Sequence, residues 1–200
     1  MRGPNVWPAD GPGFSADAFR AAMERYFHAV WRLSERVLGA FACALGREPD
    51  YFRAYFTKPL TQLRLLHYPP QTPEAGAQGV EAHTDPGALT ILLQDSVGGL
   101  EARNRAGQWI PAPPIPYSFV INIGDMMQRW TNGRFVSTPH RVANRTGQGR
   151  FSIPFFVNPD YGATIAPALG GKSRGAALYQ PLASGPYIEA AYRAAWPRAD

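Results

Sequence analysis

Two hundred residues, 45% of them hydrophobic, suffice for one domain with a core of its own and exclude a disordered chain. One cysteine, Cys43, excludes a disulfide framework and a thiolate zinc site, while 20 glycines and 20 prolines without a fixed period exclude collagen and predict many turns. The net charge of +5 comes from scattered arginines rather than a basic cluster, and no apolar run has bilayer length or signal-peptide form, so a cytoplasmic chain is expected, with neither nucleic acid nor membrane as partner.

Residues 1–14 are rich in Pro and Gly and read as an extended lead-in that Trp7 packs down. Ser15 is suited to cap a helix, and Asp17 lies in its first turn, where a negative charge is favourable. Phe19, Met23, Tyr26, Phe27, Val30, Leu33, Val37, Leu38, Phe41 and Leu45 then recur at three- and four-residue steps, and Glu24, Arg25, Arg32, Glu35 and Arg36 fill the other side. This predicts a long amphipathic helix over 15–46, stopped at Gly46 and packed on a sheet, with Cys43 as a small core residue.

After Pro59 the pattern changes to short strands. Leu60–Tyr68 is strand-like up to Pro69-Pro70, and a loop is expected over Gln71–Gly79. Leu89–Gln94, Phe119–Ile123, Val136–Thr138 and Phe151–Val157 are further strands, with Gly98-Gly99 and Asn132-Gly133 as tight turns. Gly124-Asp125 and Trp130–Gly133 also read as turns, with Asp125 capping a bend, and Ala183–Trp196 as a short last helix. One long helix with many short strands predicts an α+β protein, mainly β, with a sandwich or jelly-roll core.

The chemistry concentrates in few residues. His28, in the long helix, has no ligand partner at suitable spacing, and His67 points away from the strand face that Leu66 and Tyr68 share. His83-Thr84-Asp85 differs: positions i and i+2 of an extended segment face one side, so imidazole and carboxylate converge. With His140, 55 positions after Asp85, they supply two imidazoles and a carboxylate, the facial triad of non-heme Fe(II) oxygenases. Arg150 and Ser152 share a strand face in the same way, and a guanidinium beside a hydroxyl suits the far carboxylate of a small dicarboxylate. Fe(II), Asp85, Arg150 and a dianion together sum to zero charge, as a partly buried site requires. Arg141, next to His140 but of opposite parity, reads as structural.

In this order, H83-T-D85, L89-T-I-L-L-Q-D-S-V-G-G-L100, N122-I-G-D125, W130-T-N-G133, H140-R-V142 and R150-F-S152 resemble the iron(II)/2-oxoglutarate-dependent dioxygenases of the isopenicillin N synthase-like superfamily, over most of residues 15–165. The resemblance implies a double-stranded β-helix (jelly roll) over 60–165 within a dioxygenase domain of 15–200, with 166–200 as a C-terminal segment. It implies that His83, Asp85 and His140 hold Fe(II), and that Arg150 and Ser152 hold the C5 carboxylate of 2-oxoglutarate. Tyr68, in L65-L-H-Y-P-P70, matches a tyrosine that contacts this cosubstrate, and Leu66 stands where the family often has an asparagine. Phe156 matches a position lining the substrate pocket.

The implied activity consumes O2 and couples oxidative decarboxylation of 2-oxoglutarate to hydroxylation, desaturation or cyclisation of a small organic substrate. Two readings compete with it: an iron-dependent oxidase that does not use 2-oxoglutarate, and an inactive remnant that keeps the metal site. The family usually carries a substantial segment before the helix that here begins at Ser15, and fourteen residues precede it in this sequence.

Overall fold

The computed structural model describes residues 4–70, 78–144, 146–167 and 176–195. They fall into two compact units, Met1–Arg53 and Ala54–Asp200. Among the described residues no helix is long and apolar enough to cross a membrane.

The first unit is built on α1 (Ala16–Ala44). Ser15 is extended, and its hydroxyl accepts from the Ala18 N–H (3.3 Å), while the Asp10 carboxylate accepts from the Ala16 N–H (2.8 Å). Two of the N–H groups that a helix start leaves without partners are thereby satisfied. The helix ends as predicted, with Gly46 at φ +70°, a conformation that costs glycine nothing. Trp7 meets Phe19 edge-on (6.2 Å) and pins the lead-in. The fully buried stripe is Val30, Ser34, Leu38 and Ala42, at strict i, i+4 spacing. Ser34 is tolerated there because its hydroxyl donates to the Val30 carbonyl (2.8 Å). Cys43 is exposed, which corrects its expected place in the core. It sits one residue past Ala42, about 100° around the helix from the stripe.

The second unit is the jelly roll. Its strands are β1 (Gln62–Leu63), β2 (Leu66–Tyr68), β3 (Gln78–His83), β4 (Leu89–Gln94), β5 (Leu100–Arg103), β6 (Trp109–Pro111), β7 (Val120–Ile123), β8 (His140–Ala143), β9 (Arg150–Val157), β10 (Thr164–Ile165) and β11 (Leu182–Ala183), with helices α2 (Asp125–Trp130) and α3 (Ser184–Ala195). The major sheet runs β1-β9-β4-β7, with β2 also on β9, and the minor sheet runs β3-β8-β5-β6. From β3 to β9 the chain passes back and forth between these two sheets, which makes the double-stranded β-helix. These pairings are antiparallel, and β10 pairs with β11 apart from both sheets.

Register sorts the major sheet by parity. Leu89 lies opposite Ile123 and Val157, and Ile91 opposite Ile121 and Phe155. Of this odd-numbered face, Leu89, Ile91, Phe155 and Val157 are fully buried. Each such side chain contributes about 1.5–3 kcal/mol by leaving water. The even-numbered face carries Tyr68, Thr90, Gln94, Asn122, Arg150, Ser152 and Phe156. One face is core and the other is chemistry.

Several predicted boundaries shift. Leu60–Tyr68 breaks at Arg64-Leu65 into β1 and β2, yet both stay in one register on β9, bridged by the Arg64 N–H donating to the Pro154 carbonyl (3.0 Å). Val136–Thr138 is not a strand; Pro139, which has no N–H to donate to a ladder, follows it, and β8 begins at His140. The expected turn at Gly124-Asp125 opens α2, whose Met126, Met127 and Trp130 are buried. Its six residues are too few to show a helical period in sequence. Residues 71–77 of the expected loop and Trp196 of the expected last helix lie outside the described residues, and Gly79 belongs to β3.

Candidate active site

β3 and β8 are neighbours in the minor sheet, and their register sets His83 directly opposite His140. A register shift between Val80 and His83 marks a local bulge at this end of the pair. The two rings lie 4.3 Å apart, centroid to centroid. His83 Nδ1 is 2.7 Å from the Glu81 carbonyl, and His140 Nδ1 is 3.1 Å from the Thr138 carbonyl. A carbonyl can only accept, so a proton on each Nδ1 satisfies these two contacts, which are shorter than the 3.4 Å approach of Asn122 Nδ2 to His140 Nδ1, and it turns each Nε2 toward Asp85. Those Nε2 atoms lie 3.8 and 3.7 Å from Asp85 Oδ1. All three ligand atoms fall within 4.8 Å of one another.

Asp85 is aimed by its other oxygen. Oδ2 accepts from Thr90 Oγ1 (2.6 Å) and Asn122 Nδ2 (2.9 Å), which turns Oδ1 toward the imidazoles. The Asp85 backbone is fixed as well, its carbonyl accepting from the Asp125 N–H (2.8 Å). Gly124 permits that approach, because a Cβ there would collide with the Gly87 carbonyl. Asp85 is only 4% exposed, whereas the His83 side chain is 42% exposed and His140 15%. A buried carboxylate oxygen facing two imidazole Nε2 atoms is a donor set suited to a cation, and the site opens toward solvent on the His83 side.

Arg150 begins β9 and is fully buried. Its Nε donates to the Gly98 carbonyl, its Nη2 lies 3.5 Å from Gln94 Oε1, and its guanidinium stacks over the Tyr68 ring at 4.8 Å. All three partners are neutral. Arg150 Nη1 is buried without a hydrogen-bond partner. A buried cation with an orphaned donor costs several kcal/mol unless an anion joins it. Ser152, the next residue on the same face of β9, is buried beside it. The donor set thus fits a carboxylate at Arg150 and Ser152, and a divalent metal at the triad.

The structure brings Tyr68, Arg150 and Ser152 to one face, with Leu66 directly across from Ser152. Phe156 shares that face opposite Thr90, with the Arg64 guanidinium over its ring at 5.1 Å. His67 projects to the other side and stacks on the exposed Phe151 (4.5 Å). His28 is exposed on α1, and Arg141 forms an ion pair with Glu101 (2.6 Å). Sequence reasoning missed the residues that aim the triad and the arginine. Thr90, Asn122 and Gln94 are polar residues at alternate positions of strands whose other face is apolar, and that signal was present.

The sequence profile described as the 2OG-Fe(II) oxygenase superfamily matches residues 59–159. The chain is 37% identical to the 2-oxoglutarate-Fe(II) type oxidoreductase hxnY of Emericella nidulans, over 99% of this chain and 58% of that protein. It is 42% identical to the 2-oxoglutarate-dependent dioxygenase caaD of Aspergillus niger, over 82% of this chain and 51% of that one. It therefore spans a little over half the length of these relatives. Among solved structures, a full-length Neurospora crassa protein in complex with alpha-KG and 5-formyluracil superposes with a TM-score of 0.88 at 33% identity, covering 96% of this chain and 64% of that one. The matched span runs from just before β1 to the end of β9 and contains the triad, Arg150 and Ser152, so the chain belongs to the 2OG-Fe(II) oxygenase superfamily.

Proposed function

We propose that the chain carries an Fe(II)/2-oxoglutarate-dependent dioxygenase that oxidises a small organic substrate. The observation that carries this reading is the orphaned Nη1 of Arg150, buried on the same face as Ser152 and the residues that aim Asp85. A structural arginine would have its donors satisfied; this one keeps a donor for an anion. His83, Asp85 and His140 would hold the metal, and Arg150 and Ser152 the distal carboxylate of 2-oxoglutarate. Bound together, metal and cosubstrate would supply the oxidising chemistry: the four-electron oxidant O2 would be spent half on converting 2-oxoglutarate to succinate and CO2 and half on oxidising a C–H bond of the substrate.

The chain's own residues do the positioning. The Glu81 and Thr138 carbonyls fix both imidazole tautomers, and Thr90 with Asn122 fixes the carboxylate rotamer. Tyr68 and Gln94 hold the Arg150 guanidinium in place, so the cosubstrate meets a prearranged cation. Phe156, one strand pair from Thr90, is the residue we assign to the substrate side. The Neurospora crassa relative forms complexes with alpha-KG and thymine or 5-formyluracil, which supports a substrate of that size here.

Succinate is the discriminating product. With Fe(II), O2 and 2-oxoglutarate the protein is expected to form succinate, and Arg150→Met to form it only at far higher 2-oxoglutarate. Iron binding without succinate from the unaltered protein would contradict the reading, in favour of an oxidase that uses no 2-oxoglutarate or of a chain that only binds metal.

A further inference from the structure

We propose that Tyr187, on α3, is a positioning residue for the metal centre: through Asp125 it holds the Thr84-Asp85 backbone, so docking of α3 and loading of the metal strengthen each other. The proposal rests on the reading above that His83, Asp85 and His140 hold a divalent metal.

Three contacts carry it. The Tyr187 hydroxyl donates to Asp125 Oδ2 (3.1 Å). The same oxygen accepts from Thr84 Oγ1 (3.3 Å), and Thr84 is the residue between two of the three ligands. The Asp125 N–H donates to the carbonyl of Asp85 itself (2.8 Å). One residue therefore joins α3 to the ligand segment by both side chain and backbone.

Asp125 also places a negative charge in the first turn of α2, where it is favourable, but that role does not require either hydrogen bond on Oδ2. It opens α2, but the N-cap is Gly124 and no side chain caps that helix. Around it the backbone is locked: the Gly124 N–H donates to the Ala88 carbonyl (3.0 Å) and the Met126 N–H to the Gly87 carbonyl (3.0 Å). Loop 85–88 and the start of α2 thus form one block, and the Asp125 carboxylate is the arm that reaches out from it.

α3 is anchored on its other side too. The Ser184 N–H donates to the Ala163 carbonyl and the Gly185 N–H to the Tyr161 carbonyl, and a Cβ on Gly185 would collide with the Tyr161 ring. The Arg129 guanidinium lies over the rings of Tyr187 (5.4 Å) and Tyr179 (5.2 Å). Burial, then the Asp125 charge, holds the Tyr187 phenol above its ordinary pKa, so the hydroxyl remains a donor. The acceptor it serves is shared with Thr84, and each hydrogen bond on Asp125 Oδ2 narrows the positions that oxygen offers the other. Coupling of this kind is reciprocal: whatever factor docked α3 adds to metal affinity, bound metal adds to docking.

The test uses the full chain and Co(II), an air-stable probe whose visible spectrum reports its ligands. Co(II) affinity is titrated, and hydrogen exchange of residues 184–195 is followed with and without Co(II). In the unaltered protein Co(II) is expected to slow exchange in α3. Tyr187→Phe is expected to abolish that metal-dependent slowing and to weaken Co(II) binding about five-fold, as for one lost hydrogen bond. Thr84→Val should do the same, and the double variant should lose little more than either single one. Loosened α3 in Tyr187→Phe with unchanged Co(II) affinity and unchanged metal-dependent slowing would overturn the proposal, leaving Tyr187 a plain anchor. If Tyr187→Phe does not fold, Thr84→Val decides by the same two readings. An unaltered protein that binds no Co(II) would end the metal reading itself, and this proposal with it.

Discussion

Thr90 and Asn122 do for Asp85 what the Glu81 and Thr138 carbonyls do for the histidines: they use one atom of the side chain so that the other is turned into the proposed metal site. Removing such partners typically costs 10- to 100-fold in metal affinity. Thr90→Val, which keeps the shape and removes the hydroxyl, is expected to weaken metal binding by roughly that factor while the far-ultraviolet circular dichroism stays unchanged. Arg150 gives a sharper contrast. Arg150→Met removes a buried cation that lacks an anion, so thermal unfolding of the ligand-free protein is expected to be no lower than in the unaltered chain. On the proposed reading the same substitution removes the carboxylate fork, so 2-oxoglutarate should raise the unfolding temperature only at far higher concentration. The convergence of His83, Asp85 and His140 was legible from their residue types and order, and the shared face of Arg150 and Ser152 from the alternation of a strand. Thr90 and Asn122 were not assigned, because a polar residue on a strand shows which face it takes but not which side chain it meets across the barrel.

Elements were legible to the extent that their length exceeds their period. α1 shows eight turns of repeat and both caps, and its limits follow from Ser15 and Gly46. α2 has under two turns, and β10 and β11 two residues each, so their form depends on neighbours that sequence does not reveal. β4 was read at its true limits because its flanks break the strand pattern and its run of apolar residues is buried at the start. Phe155, fully buried on the core face of β9, is expected to cost about 3–5 kcal/mol when replaced by Ala, measured by urea unfolding. The link from α3 carries a pH signature. The Tyr187 phenol is held above its ordinary value of 10.0 in the folded chain, first by burial and then by Asp125. A raised pKa stabilises the fold below the unfolded value and loses that contribution as pH climbs past it. The stability difference between the unaltered chain and Tyr187→Phe is therefore expected to stay constant at neutral pH and shrink above pH 10.0, in urea melts on either side of that value.

At the scale of the molecule, the fold solves an assembly problem that no local segment states. The two histidines are far apart in sequence, and only the β3–β8 pairing of the minor sheet sets them opposite each other. The rest of the site comes from the major sheet: β4 and β7 aim Asp85, and β9 with β2 frames Arg150. The jelly roll was legible as a class from many short strands between turn signals, and its motif order matched a known family. Which strands pair was not legible, since pairing is fixed by side-chain fit across the sheets rather than by composition. On the proposed reading, metal and 2-oxoglutarate meet between these two sheets. Visible absorption of the anaerobic protein with Fe(II) and 2-oxoglutarate decides it, because the chelate on the metal gives a charge-transfer band. The band is expected in the unaltered chain, to vanish in His140→Ala, and to require much more 2-oxoglutarate in Arg150→Met. Its absence from the unaltered chain, or its persistence in His140→Ala, would contradict the proposed site.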